Sequence, residues 1–304
     1  MLMKLMDKIT LALDWTPNIN HIGFFVAKDK NFYENYDLKI YIEDPSIDNY
    51  QLTPAKKLEN RQVDFALCPL ESIISFRTKS NPINFKAVAK LFDNDLSAIA
   101  TNNKSIKSPK YLDGKSYASY NARYEDKIII EMTKNDGGIG NIDFVYPDKL
   151  GIWNTLVNEK YDSTWIFLNW EGIQAESNNL KLNYFKMEDY KIPYSYSPVI
   201  SAREDCIESK FSIYKKFLAA TKEGYIYSKN NIDESVSILS KYVPKNDKDI
   251  DLKKSLLFTA ENFHNSNWGL IEQKKVKVFV EWLRKMNLID EKINHSLIFT
   301  NSLL

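Results

Sequence analysis

The chain has 304 residues, 44% of them hydrophobic and 27% charged, an ordinary globular composition with room for two domains or one with a deep internal cleft, which excludes a disordered chain or a small one-layer module. Its 41 Lys and Arg nearly balance its 40 Asp and Glu, without a basic block, so nucleic acid is not an expected partner. Two distant cysteines and three histidines without i, i+4 partners exclude a disulfide framework, a CxxC redox site and a zinc site.

The opening MLMKLMDKITLALDW is interrupted by Asp7 and Lys8 before a leader-length apolar segment develops. The chain as written is therefore expected in the cytoplasm, or outside it if a leader has been removed. No run of about 18 apolar residues occurs, so no membrane span is expected. Ile9 to Leu13 reads as a strand, followed by a helix near Ile22 to Phe32, a strand at Leu38 to Ile42 and a helix near Tyr50 to Asn60. Next come a strand at Val63 to Leu67 and a helix near Leu70 to Arg77. Strands alternating with helical periods predict βαβ units and a largely parallel sheet.

The alternation resumes with strands at Ser116 to Ser119, Ile142 to Val145 and Ser163 to Leu168. Helices are expected near Tyr124 to Lys134, near Lys149 to Glu159 and from Trp170. Two doubly wound, mostly parallel sheets fit this better than one very wide sheet, giving an α/β fold. From Glu204 onward the pattern is helical. One expected face carries Phe211, Tyr214, Leu218, Thr221 and Tyr225, and another Val276, Phe279, Val280, Leu283 and Met286. Segments near Asp93 to Ser97 and Lys191 to Pro198 read as two crossovers between lobes. The expected division is 1–95 with 197–304 as lobe 1 and 96–196 as lobe 2, with a ligand cleft between them.

In open parallel sheets ligands sit outside the carboxyl ends of the strands. Asp14-Trp15, Cys68 to Glu71, Ser119 to Arg123 and Asn169 to Glu171 each follow a predicted strand. Trp15 and Trp170 each adjoin a carboxylate, Asp14 and Glu171 respectively. An indole gives a flat stacking surface and a carboxylate accepts from ring amino groups, which suits a planar, donor-bearing heterocycle such as an aminopyrimidine. The alternative is that each indole fills an interface. His21 either meets a ligand or closes the helix start beside Pro17-Asn18. DGGIG at Asp136 to Gly140 lacks the spacing of a dinucleotide fingerprint and follows a helix, so it reads as a cap and turn. Cys68 reads as a buried thiol rather than a nucleophile, and Lys215-Lys216 and Lys274, Lys275 and Lys277 as solvated helix faces.

LDWTPNINHIGFFVAKDKNFYE, from Leu13 to Glu34 with its leading strand residue, resembles the opening of the NMT1/THI5-like family of periplasmic-binding-type proteins. QVDFALCPLESI resembles the family's next strand and helix. WIFLNWEGIQAE is similar to the second-lobe strand and helix of binding proteins for the pyrimidine precursor of thiamine. YSPVI at Tyr196 to Ile200 and NWGLIEQ at Asn267 to Gln273 extend the resemblance over nearly the whole chain.

The resemblance implies a periplasmic-binding-protein type II fold of two lobes joined by two crossovers. It also implies a solute-binding protein for a thiamine-related aminopyrimidine, of the hydroxymethylpyrimidine or formylaminopyrimidine type, serving ABC-type uptake through a permease if exported, and acting as a monomer. Carried over residue by residue, Trp15, Trp170 and Glu171 recognise the pyrimidine, Asp14, Asn18, His21 and Glu71 match motif positions, and Tyr196 lies at the crossover. No metal or cofactor is implied. A related branch comprises thiamine pyrimidine synthases, which consume pyridoxal phosphate and a protein histidine and require iron. Its Lys and His are replaced here by Cys68 and Ser72, and its CCCFC run is absent. Without that amine the Schiff-base chemistry has no protein partner at this position. Another small organic solute on the same fold is the remaining alternative.

Overall fold

The computed structural model describes residues 6–148, 150–158, 160–247, 249–264, 266–290 and 293–304. In chain order the first elements are β1 (Asp7–Ala12), α1 (Ile22–Asp29), α2 (Phe32–Asn35), β2 (Leu38–Glu43), α3 (Pro54–Glu59), β3 (Phe65–Cys68), α4 (Leu70–Thr78) and β4 (Phe85–Lys90). Then follow β5 (Ser97–Thr101), β6 (Ser116–Ala118), α5 (Glu125–Asn135), β7 (Asp143–Val145), β8 (Ser163–Phe167), α6 (Ile173–Ser177) and β9 (Asn183–Phe185). The last are β10 (Val199–Arg203), α7 (Glu204–Ser209), α8 (Phe211–Asn230), α9 (Ile232–Leu239), α10 (Leu252–Ala260) and α11 (Gln273–Lys285).

Two compact units result. Unit 1 comprises Met1–Asn94, Ser195–Lys248 and Leu252–Leu304, and unit 2 comprises Asp95–Tyr194 with Asp249–Asp251. Unit 1 holds a sheet of order β2-β1-β3-β10-β4 and unit 2 one of order β7-β6-β8-β5-β9. In the first, β1 runs parallel to β2 and β3, and β10 is antiparallel to both its neighbours. In the second, β6 runs parallel to β7 and β8, and β5 is antiparallel to both its neighbours. Each sheet is therefore mostly parallel, with one reversed strand, on an α/β plan.

The strands carry their positions in their side chains. Phe65, Ala66, Leu67 and Cys68 of the central β3 are all buried, as expected of a strand covered on both faces. In β2, Leu38 and Ile40 are buried while Lys39 and Tyr41 are exposed, the alternation of an edge strand. The first helix ends earlier than its apolar pattern predicts, at Asp29, because Asn31 turns left-handed at φ 60°. The helix expected from Tyr50 begins only at Pro54. There Thr53 Oγ1 accepts the Lys56 N–H at 3.2 Å and the proline ring is preset for the first turn. The helix expected over 149–159 is a π-type turn at Trp153–Asn158, and its expected end residues, Lys149 and Glu159, lie outside the described residues.

Helix α8 covers the sheet of unit 1 with an aromatic layer. Phe65 lies 4.2 Å from Phe217 and 4.3 Å from Tyr214, centroid to centroid, and Tyr33 stacks on Phe217 at 5.7 Å. The buried Tyr33 hydroxyl donates to Thr221 Oγ1 at 3.0 Å, because Thr221 spends its own proton on the Phe217 carbonyl. Tyr214, Leu218, Thr221 and Tyr225 face inward, whereas Phe211, expected on the same face, stands 42% exposed at the helix start. In unit 2, Ala100, Ile152, Leu156, Ile166 and Ala175 form one apolar cluster.

The glycines of DGGIG close a turn. Asp113 accepts the N–H groups of Ile139 at 2.7 Å and Asn141 at 2.8 Å, so the donors a phosphate would need are already bound by a carboxylate.

Candidate functional site

In unit 1 the parallel register carries Asp14-Trp15 and the segment Cys68 to Glu71 out of the sheet at one edge, the carboxyl ends of β1 and β3. Strand β10 enters at that same edge, since Val199 pairs with Cys68 on one side and Lys90 on the other. Asp14, Trp15, Glu71, Lys90 and Tyr196 are thereby brought to one end of one sheet. In unit 2, β6 and β8 are parallel and β5 starts opposite Phe167. The loop 119–123 and Trp170-Glu171 therefore share the carboxyl edge of that sheet. Among the sequence-predicted residues, six belong to unit 1 (Asp14, Trp15, Asn18, His21, Glu71 and Tyr196) and two to unit 2 (Trp170 and Glu171).

The turn WTPN explains itself from Asn18 and His21. Asn18 is extended; its Oδ1 accepts the Asn20 N–H at 2.8 Å, and its Nδ2 donates to the Thr16 carbonyl at 3.1 Å. His21 is fully buried. Its Nδ1 accepts the Asn18 N–H at 3.3 Å, which leaves the proton on Nε2 to be donated to Asp14 Oδ1 at 2.7 Å. Both ring nitrogens are engaged inside the fold, so His21 closes the helix start and orients Asp14, the second of the two roles its place in the sequence leaves open. Asn18, 4% exposed, is likewise a capping residue. Asp14 and Trp15 are half-buried, and the Trp15 ring lies 5.8 Å from that of Tyr50 at 58°.

Cys68 sits between these groups. Its thiol donates to Ser201 Oγ at 3.4 Å, and Ser201 donates to the Ala66 carbonyl. Burial pushes the thiol up to about 12; the Ser201 bond works the other way, and the nearby Asp14 and Glu71 carboxylates add to the rise. A thiol held protonated is no nucleophile at neutral pH. The same field shows two carboxylates gathered at the edge, with Glu71 buried in the first turn of α4.

Tyr196 is also spoken for by its own unit. Its backbone is left-handed at φ 57°, and its carbonyl accepts the N–H of Leu70, an orphan donor of the first turn of α4. Its hydroxyl accepts the Glu272 N–H at 3.1 Å and donates to Glu272 Oε1 at 3.3 Å. Lys90 and Lys275 lie over the ring at 5.7 and 5.5 Å. Lys90, 3% exposed, reaches Asp93 Oδ1 at 2.5 Å. Lys275 donates to the Asp93 carbonyl at 2.9 Å, so it is a structural anchor and not merely part of a solvated face. Sequence reading missed Lys90, although a lysine inside the apolar run FKAVAKLF was a signal. It also missed Tyr50.

In unit 2 the strand expected to run to Leu168 stops at Phe167, and a π-type turn at Leu168–Gly172 leads into α6. Trp170 and Glu171 occupy that turn, 3% and 8% exposed. Glu171 Oε2 accepts the Phe167 N–H at 2.9 Å, which folds the carboxylate back over the strand end. The neighbouring loop is drawn in by Glu125, which accepts from the Tyr117 hydroxyl at 2.9 Å and the Tyr120 N–H at 3.2 Å. Burial raises this carboxyl to about 7, against the effect of those bonds. Among the described residues no group of His, Cys, Asp and Glu is arranged to hold a metal ion, and no helix is long and apolar enough to cross a membrane.

Comparison with known proteins agrees with this architecture. A Haemophilus influenzae protein whose name places it in thiamine biosynthesis is 22% identical over 290 residues, covering 94% of this chain and 90% of its own length. A formylaminopyrimidine-binding protein of Halalkalibacterium halodurans is 22% identical over 240 residues, covering 77% of this chain and 70% of its own length. Among solved structures, the ligand-binding component of an ABC-type import system from Staphylococcus aureus superposes with a TM-score of 0.73 at 15% identity, covering 98% of each chain. A Candida albicans protein described as having the generic periplasmic binding protein fold gives 0.71 at 16% identity, covering 97% of each chain. These likenesses establish the periplasmic-binding-protein fold. The sequence pattern of the family described as NMT1/THI5 like matches residues 18–235, more than half of the chain, and the chain belongs to the NMT1/THI5-like family.

Proposed function

We propose that this protein is a solute-binding component for a thiamine-related aminopyrimidine, of the hydroxymethylpyrimidine or formylaminopyrimidine type, delivering it to an ABC-type permease. The observation that carries the reading is the repeated pairing of an indole and a carboxylate at the carboxyl edge of each sheet, Asp14-Trp15 in unit 1 and Trp170-Glu171 in unit 2. The name of the Halalkalibacterium relative supports the same ligand class. In this reading Trp15 and Trp170 supply stacking surfaces, and Glu171, Asp14 and Glu71 accept from ring nitrogens and amino groups. Asn18, His21 and Tyr196 hold those groups in position.

Calorimetric titration with hydroxymethylpyrimidine and its formylated aminomethyl analogue tests the proposal, with an alkanesulfonate as the comparison solute. Saturable binding of a pyrimidine, with the sulfonate inert, is expected; the reverse preference sinks the reading. Glu171→Gln keeps shape but loses the charge, and is expected to weaken pyrimidine binding by about 1–3 kcal/mol. Unchanged affinity would remove Glu171 from the site.

A further inference from the structure

The loop that follows β2 is built to hold one exposed ring. Because Glu43 pairs with Ala12, this loop leaves the sheet beside Asp14-Trp15. Asp44 Oδ1 accepts the Ser46 N–H at 2.8 Å and starts a single 3-10 turn, Pro45–Asp48. The 5%-exposed residue Lys57 braces it from below, its ammonium 3.1 Å from Asp48 and 3.7 Å from Glu43. Two successive non-glycine residues then turn left-handed, Asn49 at φ 53° and Tyr50 at φ 62°. Asparagine tolerates that conformation, but a bulky aromatic residue pays a steric cost that glycine would avoid.

The backbone of this pair closes the turn, the Tyr50 N–H donating to the Pro45 carbonyl at 2.9 Å and the Asn49 N–H to the Ser46 carbonyl at 3.2 Å, but that closure needs no aromatic side chain. Tyr50 is 53% exposed, so its ring contributes little buried area. The conformation also places the side chain, with the ring 5.8 Å from Trp15 and inclined to it at 58°. Strain retained by a braced loop, with an exposed aromatic as its product, is the pattern of a contact residue. Resting on the aminopyrimidine reading above, we propose that Tyr50 is a second ligand-contact ring of unit 1. Trp15 and Tyr50 form an aromatic corner, one ring stacking on the face of a planar heterocycle and the other meeting its edge.

The test compares the full chain with Tyr50→Gly and Tyr50→Phe, titrated with hydroxymethylpyrimidine, thiamine, pyridoxine and an alkanesulfonate while tryptophan emission is followed. Glycine relieves the left-handed backbone, so Tyr50→Gly is expected to unfold at the same temperature as the parent or higher, yet to bind the planar ligand about tenfold more weakly. Tyr50→Phe, which keeps the ring, should stay within about threefold of the parent. Equal affinity of the parent and Tyr50→Gly for a planar ligand overturns the assignment of Tyr50. If the parent binds thiamine or pyridoxine but not the aminopyrimidine, and Tyr50→Gly loses that binding, the aminopyrimidine reading fails while the aromatic corner stands. Binding of the sulfonate alone, or of none of the four, overturns both.

Discussion

His21 shows how neighbours in sequence can leave two roles open for a single side chain. A rare histidine after a strand, beside tryptophan and aspartate, is open to contacting a ligand or to closing the helix start, and the position of its ring favours the second. With Nδ1 on the Asn18 N–H and Nε2 on Asp14, the imidazole fixes the orientation of a carboxylate much as an outer hydrogen-bond partner orients a metal ligand. His21→Ala would leave a cavity and two polar groups without their partner, and is expected to cost about 2–4 kcal/mol of stability in urea unfolding. A loss under about 0.5 kcal/mol, the scale of an ordinary surface change, would mean that the turn holds itself. The tryptophans were legible as strand-end residues because they follow apolar runs. The strained Tyr50 was not, since a left-handed tyrosine breaks the local preferences by which turns are recognised.

At the scale of elements, the close approach of α1 and α8 depends on two glycines. A Cβ on Gly224 would lie 2.0 Å from the Gly23 carbonyl oxygen and 2.9 Å from Ala27 Cβ, and one on Gly23 would lie 2.1 Å from the Tyr225 ring. Backbone stands in the way at Gly224, so Gly224→Ala is expected to destabilise by about 1–3 kcal/mol. Gly172, in the tryptophan-glutamate turn, has its nearest neighbour at an ordinary 3.7 Å, and Gly172→Ala should change stability by less than about 0.5 kcal/mol. Denaturant unfolding of the two variants separates a packing glycine from one that is merely tolerated. The βαβ stretches were readable because alternation of short apolar runs and helical periods is local. Strands β4, β5, β9 and β10 went unread. Two of them, β5 and β10, are reversed strands whose partners lie far along the chain, Cys68 opposite Val199 and Ser97 opposite Phe167, and no window of neighbouring residues contains both halves of such a pairing.

For the molecule as a whole, stability should depend on pH through carboxyls that the fold keeps from ionising. Burial raises Glu125 from 4.5 to about 7, and burial likewise raises Asp95, which accepts from Ser97, from 3.8 to about 7. The folded protein therefore retains protons that the unfolded chain has released across that range. The stability that these two groups contribute is greatest below their unfolded values and is lost as pH rises toward 7. Glu125→Gln should flatten the curve of unfolding free energy between about pH 4.5 and about pH 7 without removing the share due to Asp95; an identical slope in parent and variant would show that Glu125 ionises normally. The alternation of apolar runs and the punctuation by proline and asparagine were enough to predict an α/β chain of two sheets, because those features act between residues close in sequence, while the family was legible only through the resemblance of motifs such as LDWTPNINHIGFFVAKDKNFYE and WIFLNWEGIQAE. Tertiary structure alone decided that β10 crosses back between β3 and β4, that Asp249–Asp251 packs with unit 2, and which polar groups are consumed by the fold. Those outcomes depend on hydrogen-bond partners and buried neighbours that only meet once distant segments have been brought together.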